Sequence, residues 1–408
     1  MKEVTLPDPT LGNRKLIRAL NRSVVLNVIK ERGAIGRAEI ARESGLSPAT
    51  ITSLTNELIK EKLVLEAETG ESSGGRRPVL LSLNPHGGFA VGVKVAEDNV
   101  IGALIDIHAA VVAKRTDKLK GHDPEQVCVR IVETVSSLIQ EAEVPKKRVL
   151  GLGVGLAGVV DTERGISRQQ PFFGWRDVPL GDMLKKKLHM TVMIDNDVNT
   201  LTLADRLYGA GQGVDNFLAV TVGRGIGLGI VIDGRLFRGS RGAGGEFGHT
   251  VIEGNDLVCS CGKHGCLETI VGEAGLLREA ARAESQGLLP SVQAIDDLIS
   301  LAQSQNSEAQ KIIAQAGDAL GKGIANLINL FNPTLILISG EGIGAGDLLF
   351  DPMRASVEKY VMPPLQDDTE LRIDPMSDDA WAVGAASLIL NEIFSSPVHR
   401  GEGVHLDG

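Results

Sequence analysis

The sequence predicts a multidomain chain: a winged helix-turn-helix head at residues 1–85 and two α/β lobes at 86–205 and 206–377, with residues 378–408 returning to the first lobe. Three observations lead there. Residues 22–83 read as helix, helix, Gly-Leu-Ser turn, helix and hairpin. The strand–turn–strand texture of residues 89–107 recurs at 217–232, as an internal duplication produces. Residues 244–268, GGEFGHTVIEGNDLVCSCGKHGCLE, hold three of the four cysteines close to a histidine.

The head comes first. Val24, Val25, Val28 and Ile29 form a helical stripe over Arg22–Glu31 that stops at Gly33. Arg37–Ser44 is a second short helix closed by Gly45. Ser47 caps a third, Pro48 suits its first position, and Ile51, Leu54 and Leu58 face inward. The outer face of this helix is small and polar. Ser47, Thr50, Thr52, Ser53 and Asn56 can approach base edges and phosphates closely, so they are the candidate DNA contacts. Val64–Glu66 and Val79–Leu83 read as strands joined by ETGESSGGRRP, whose Arg76 and Arg77 would serve phosphates or a narrow minor groove. A plain three-helix bundle with a polar surface is the competing reading.

Charge follows the same division. Residues 1–85 carry 13 basic against 10 acidic side chains, and the remainder 29 against 42. An acidic body with a mildly basic head suggests an anionic partner at the N-terminus only. No apolar run approaches the length of a membrane span and no targeting segment opens the chain, so the cytoplasm is expected.

Beyond Pro85 the texture is α/β. Phe89–Val95, Val100–Ile107 and Val111–Asp117 read as strands, followed by a helix over Pro124–Glu143. Leu150–Leu156 and Thr191–Ile194 are further strands, the latter entering Asn196-Asp197 at a helix start. Phe217–Val222, Gly227–Ile232, Leu335–Ser339 and Leu371–Ile373 build the second lobe, and Asp379–Phe394 is a last helix.

Cys259, Cys261, Cys266 and His249 offer the thiolate and imidazole ligands that tetrahedral zinc prefers, filling four positions with protein. A closed set of this kind is structural. A Cys259–Cys266 disulfide is the competing use of the thiols and requires an oxidising compartment.

Glu246-Phe-Gly-His249 followed by Cys259 through Glu268 resembles the signature of the ROK family, which comprises sugar kinases and sugar-responsive repressors. The resemblance implies an actin-like, ribonuclease H-like sugar-kinase fold, and the winged head is a feature of the family's repressors. It further implies that Glu246, His249 and Glu268 bind sugar hydroxyls, with the other histidine nitrogen on zinc. Asn196 and Asp197 match a sugar-contacting asparagine and the kinases' general base, although an Asn-Asp pair at a helix start also serves as a cap. A dimer or tetramer is implied by the family as well.

Departures from the family pattern point away from catalysis. Where the kinases have Asp-x-Gly-Gly-Thr for phosphate, this chain aligns Lys94, Ala96, Glu97 and Asp98. The second cradle reads Gly223-Arg224-Gly225-Ile226-Gly227, keeping glycines but losing a hydroxyl. Backbone N–H groups around the nucleotide phosphates are what such transfer requires, so no catalytic residue is assigned. Phe172 stands where a sugar-contacting asparagine is usual, as an apolar wall of the site or as a displaced core residue. The expected protein is a sugar-responsive DNA-binding regulator that is inactive as a kinase; the alternatives are an active sugar kinase with a DNA-binding head and a regulator controlled by a protein partner.

Overall fold

A computed structural model describes residues 14–69, 79–252, 254–377 and 379–395. In the head, helix α1 (Arg14–Arg32) begins well before the expected Arg22. Its first half carries Arg18 and Arg22, which pair with Glu57 and Glu61 across the head, so ion pairs extend the helix beyond its apolar stripe. A two-residue strand, β1 (Ile35–Gly36), precedes α2 (Arg37–Ser44) and α3 (Pro48–Lys60). Gly45 closes α2 at φ 70°, and the Ser47 hydroxyl accepts from the Thr50 N–H, starting α3. Strands β2 (Val64–Thr69) and β3 (Val79–Leu83) pair antiparallel, and β1 adds to β3 as a third strand. This is the arrangement of a helix-turn-helix followed by a hairpin. The tip of the hairpin, with Arg76 and Arg77, lies outside the described residues.

The two lobes repeat one sheet. In the first, β4 (Phe89–Val95), β5 (Asn99–Asp106) and β6 (Val111–Lys118) form an antiparallel meander, followed by α4 (Pro124–Glu141). Strand β7 (Val149–Leu156) joins parallel to β4. A small antiparallel sheet of β8 (Val159–Asp161), β9 (Ile166–Gln170) and β10 (Trp175–Val178) projects next, a unit absent from the sequence expectation. Helix α5 (Leu180–Leu188), strand β11 (Val192–Asn196) and helix α6 (Asp197–Tyr208) complete this part, giving the sheet order β6-β5-β4-β7-β11.

The second lobe has β12 (Phe217–Val222), β13 (Ile226–Ile232) and β14 (Arg235–Leu236). Helices α7 (Glu268–Val271), α8 (Glu273–Ser285), α9 (Ile295–Gln303) and α10 (Ser307–Phe331) follow. Then come β15 (Leu335–Ser339), α11 (Asp347–Tyr360) and β16 (Glu370–Ile373). Its order, β14-β13-β12-β15-β16, repeats that of the first lobe strand for strand, with the same change from antiparallel to parallel pairing.

The last helix, α12 (Ala380–Phe394), lies on the first sheet at backbone contact. A Cβ on Gly92 or Gly153 would stand 1.8 Å from the carbonyl oxygens of Ala382 and Ala385, so only glycine admits the helix there. Head and first lobe also share one core. Val25, Leu26 and Ile29 of α1 belong to the same buried cluster as Ile105, Ile107, Ile389 and Phe394. Burial of each such side chain contributes about 1.5–3 kcal/mol, so the head is docked rather than tethered. Among the described residues, no helix is long and apolar enough to cross a membrane.

Candidate functional site

The cysteine knuckle is held by short backbone bonds. The N–H of Cys259 donates to the Lys263 carbonyl at 2.7 Å, and Val251 bridges to Cys266. Gly262 and Gly265 turn the chain at φ 84° and 82°, conformations that L side chains rarely adopt. The ligand atoms of His249, Cys259, Cys261 and Cys266 all lie within 4.8 Å of one another, and the cysteines are free thiols. The sulfurs of Cys261 and Cys266 are 3.8 Å apart, and Cys259 Sγ is 3.5 Å from His249 Nδ1. A tetrahedron with bonds of about 2.3 Å to sulfur and 2.0–2.1 Å to nitrogen has edges of about 3.8 and 3.5 Å. The group therefore fits a metal ion with closed tetrahedral geometry, and the thiols are not paired as a disulfide.

On the other side of the histidine ring, Nε2 is 3.8 Å from Glu246 Oε2. Burial pushes the Glu246 carboxyl above its usual range; His249 opposes that shift and Glu268 adds to it. Glu268 begins α7, and its Oε2 accepts from the Ile226 N–H at 3.1 Å. The adjoining Gly227 packs on Val198, so the start of α6 abuts the strand that anchors Glu268. The structure thus gathers Glu246, His249 and Glu268 and sets Asn196-Asp197 on a neighbouring segment.

Asn196 is the N-cap of α6. Its Oδ1 accepts from Val198 and Asn199, and its Nδ2 donates to the Gly158 carbonyl at 3.1 Å, leaving one amide hydrogen free for a ligand. Asp197 is nearly buried; its Oδ1 accepts from the Val198 N–H and its Oδ2 is paired with Lys94 Nζ. That pairing was not legible in the sequence. The lysine standing where the kinases have an acid lies against the carboxylate that matches their base. The Lys94 ammonium also sits 4.4 Å from the centre of the Trp381 ring, whose Nε1 donates to Glu341 of the second lobe.

Other cross-lobe contacts were equally unforeseen. Arg238 Nε donates to the fully buried Asp195 at 2.7 Å, tying the loop before Glu246 to the strand before Asp197. Arg224, within the second cradle, pairs with Glu97 and places its guanidinium 5.2 Å from the Phe172 ring. Glu97, one of the residues aligned with the kinases' first phosphate motif, is thus paired with an arginine from the opposite lobe. Phe172 is 43% exposed, whereas Phe173 stacks on His122 and Trp175 is buried, so Phe172 is not a core residue.

In the head, Thr52, Ser53 and Asn56 are exposed on α3, and Thr50 is half-buried. The Ser47 hydroxyl, though exposed, is engaged in the cap and lies 2.9 Å from the Thr50 hydroxyl. Arg37 donates to Thr55 at 3.1 Å and, with the Arg18 and Arg22 pairs, fixes the pose of α3.

Comparison with known proteins agrees with this architecture. The xylose repressor of Caldicellulosiruptor bescii is 31% identical over 396 residues, covering 95% of this chain and 99% of that protein. The DNA-binding transcriptional dual regulator NagC of Escherichia coli is 29% identical over 384 residues, or 93% and 94% of the two chains. Among solved structures, a ROK family transcriptional regulator described as a homolog of the E. coli MLC protein superposes with a TM-score of 0.83. It is 30% identical and covers 93% of this chain and 97% of its own. A ROK family glucokinase from Streptomyces griseus, solved with glucose and AMPPNP, gives a TM-score of 0.65 at 27% identity, covering 74% and 99%. Residues 90–392 match the ROK family itself, a span that begins just beyond the head and takes in both lobes, the cysteine knuckle and α12; this chain belongs to that family.

Proposed function

We propose that this chain is a sugar-responsive, DNA-binding transcriptional regulator, a repressor of carbohydrate-metabolism genes whose kinase-like body binds a sugar without phosphorylating it. The observation that carries the reading is the Lys94–Asp197 pair. A general base must be free to take a proton, and this carboxylate is already engaged by a cation on one oxygen and a backbone N–H on the other. The Arg224–Glu97 pair adds to the same case by engaging, across the lobes, the arginine of the second glycine-rich segment. The relatives named as repressors, which align over nearly the whole chain, support the regulatory half of the proposal.

In this reading Asp197, Glu246, His249 and Glu268, with the remaining amide hydrogen of Asn196, receive the sugar hydroxyls. The three cysteines and His249 Nδ1 hold a structural zinc ion, which when bound fixes the imidazole with Nε2 toward Glu246. Thr50, Thr52, Ser53 and Asn56 read operator DNA from α3, Ser47 holds its first turn, and Arg76 and Arg77 hold phosphates. The protein acts as a homodimer or homotetramer, so that two heads meet two half-sites.

Operator binding followed by fluorescence anisotropy, with and without a panel of common sugars, tests the proposal. One sugar should change the operator affinity of the wild type. Glu246→Gln, which leaves the Lys94–Asp197 pair intact, should weaken or abolish that response while keeping sugar-free operator affinity. A wild-type protein that binds no promoter DNA overturns the reading.

A further inference from the structure

Two helices begin beside Lys94, in the cleft where the two lobes face each other, and end on the DNA-binding head. At its N-terminal end, α6 presents Asp197 to Lys94, and α12 presents Trp381 to the same ammonium. At their far ends, both meet α1. Lys30 Nζ donates to the Leu207 carbonyl of α6 at 2.8 Å, and Asn27 Nδ2 donates to the Phe394 carbonyl of α12 at 2.8 Å.

These two donors stand one turn apart on α1 and take carbonyls that a helix end leaves without an intrahelical partner. A cation suits the site, because both helices point the negative ends of their dipoles at α1. Lys30 lies 4.2 Å from the Tyr208 ring centre and 4.9 Å from that of Phe394. Burial, assisted by Arg206, pulls its ammonium down to about 8, which still leaves it charged at neutral pH. With rises of 1.5 Å per residue, α6 spans about 18 Å and α12 about 22 Å, each a single stiff rod from cleft to head.

We infer that α6 and α12 are a paired relay through which events at Lys94 and Asp197 reach the DNA-binding head, with Lys30 and Asn27 as the positioning residues that read it. The inference deepens the proposed function, since it rests on the cleft as the effector site. A ligand that draws Asp197 from Lys94 would release the ammonium from α6 while it still rests against Trp381 of α12, changing the load on the two rods relative to each other. Any axial shift would then arrive at α1, whose Arg18 and Arg22 pair with Glu57 in the last turn of α3 and with Glu61 just beyond it.

Hydrogen exchange of the full chain, without sugar or DNA, tests the relay separately from the function. Lys94→Met should accelerate exchange in residues 23–32 of α1 relative to α4, which packs on the first sheet but does not touch the head. An increase of about threefold or more is expected, the lower range for groups coupled through contact. In Lys30→Met the effect of the same change should shrink, and in a Lys30→Met/Asn27→Ala background it should leave α1 no more affected than α4. If Lys94→Met does not fold, Lys94→Met/Asp197→Asn removes the same contact without stranding a charge. The relay is overturned if α1 exchanges as in wild type, or if the effect persists undiminished in Lys30→Met. Failure of sugar or operator binding would instead count against the regulator reading and leave this result standing.

Discussion

Replacing Lys94 with Met removes a cation whose side chain is only 13% exposed and leaves the Asp197 carboxylate, 10% exposed, without its partner. Breaking a buried pair from one side costs about 3–5 kcal/mol, because the surviving charge stays desolvated. Two features soften that here. Asp197 keeps the Val198 N–H, and it sits at the N-terminus of α6, where the helix dipole favours an anion by about 0.3–1 kcal/mol. The expected loss is therefore about 2–3 kcal/mol, just below the buried-pair range. Lys94→Met/Asp197→Asn should recover most of it and lie within about 1 kcal/mol of wild type, since a neutral pair leaves no stranded charge. Urea denaturation of the three proteins at pH 7 gives the comparison. If the single and double variants are equally stable, the two side chains do not form the pair on which the non-catalytic reading depends.

Further outcomes follow from other parts of the molecule. Purified protein should carry about one zinc ion per subunit, and Cys261→Ser should release it and loosen the second lobe, since closed sites contribute on the order of 10 kcal/mol to their local fold; metal analysis of both proteins checks this. Arg76→Ala/Arg77→Ala should weaken operator binding and lower the salt slope by roughly one per lost phosphate contact, measured by titration at several salt concentrations. Burial, with Asp374 adding its charge, pushes Asp205 up to about 7 from an ordinary 3.8. A raised carboxyl stabilises the fold fully below its unfolded value and loses that contribution as pH rises through 7. The stability of Asp205→Asn relative to wild type should thus rise by up to about 4 kcal/mol between pH 4 and pH 8, read from paired urea curves.

What was legible in the sequence was local. Gly45, Ser47 and Pro48 mark α2 and α3 within a few residues, and the structure gives α2 the expected bounds and starts α3 at the expected Pro48. The strands at 89–95, 217–222 and 335–339 stand at the expected bounds as well, because they are largely apolar runs between turn residues, interrupted only near their ends by Lys94, Thr221 and Ser339. The metal group was visible because its four ligands fall within 18 residues. What escaped was either short or distant. Strand β1 has two residues and exists only through its pairing with β3. Strands β8 to β10 are short, and Ser-Arg-Gln-Gln in β9 gives no apolar alternation. Lys94 and Asp197 lie 103 residues apart, Glu97 and Arg224 lie 127 apart, and Lys30 and Leu207 lie 177 apart. No period or cap announces such a contact; it appears only when the sheets bring strand ends together. The lysine at 94 was recognised as a departure from the kinase pattern, but its partner was not.

The central claim is a sugar site without phosphoryl transfer, and one preparation can test it. Isothermal calorimetry against the sugar that alters operator affinity should show saturable binding that Asp197→Asn or Glu246→Gln weakens. A coupled assay with the same protein, the same sugar, ATP and Mg²⁺ should show no nucleotide consumption above background. Positioning and charge stabilisation of the phosphoryl group supply most of such catalysis, whereas here Lys94 engages Asp197 and Arg224 engages Glu97. ATP turnover that follows sugar concentration and disappears in Asp197→Asn would make the protein an enzyme and contradict the account.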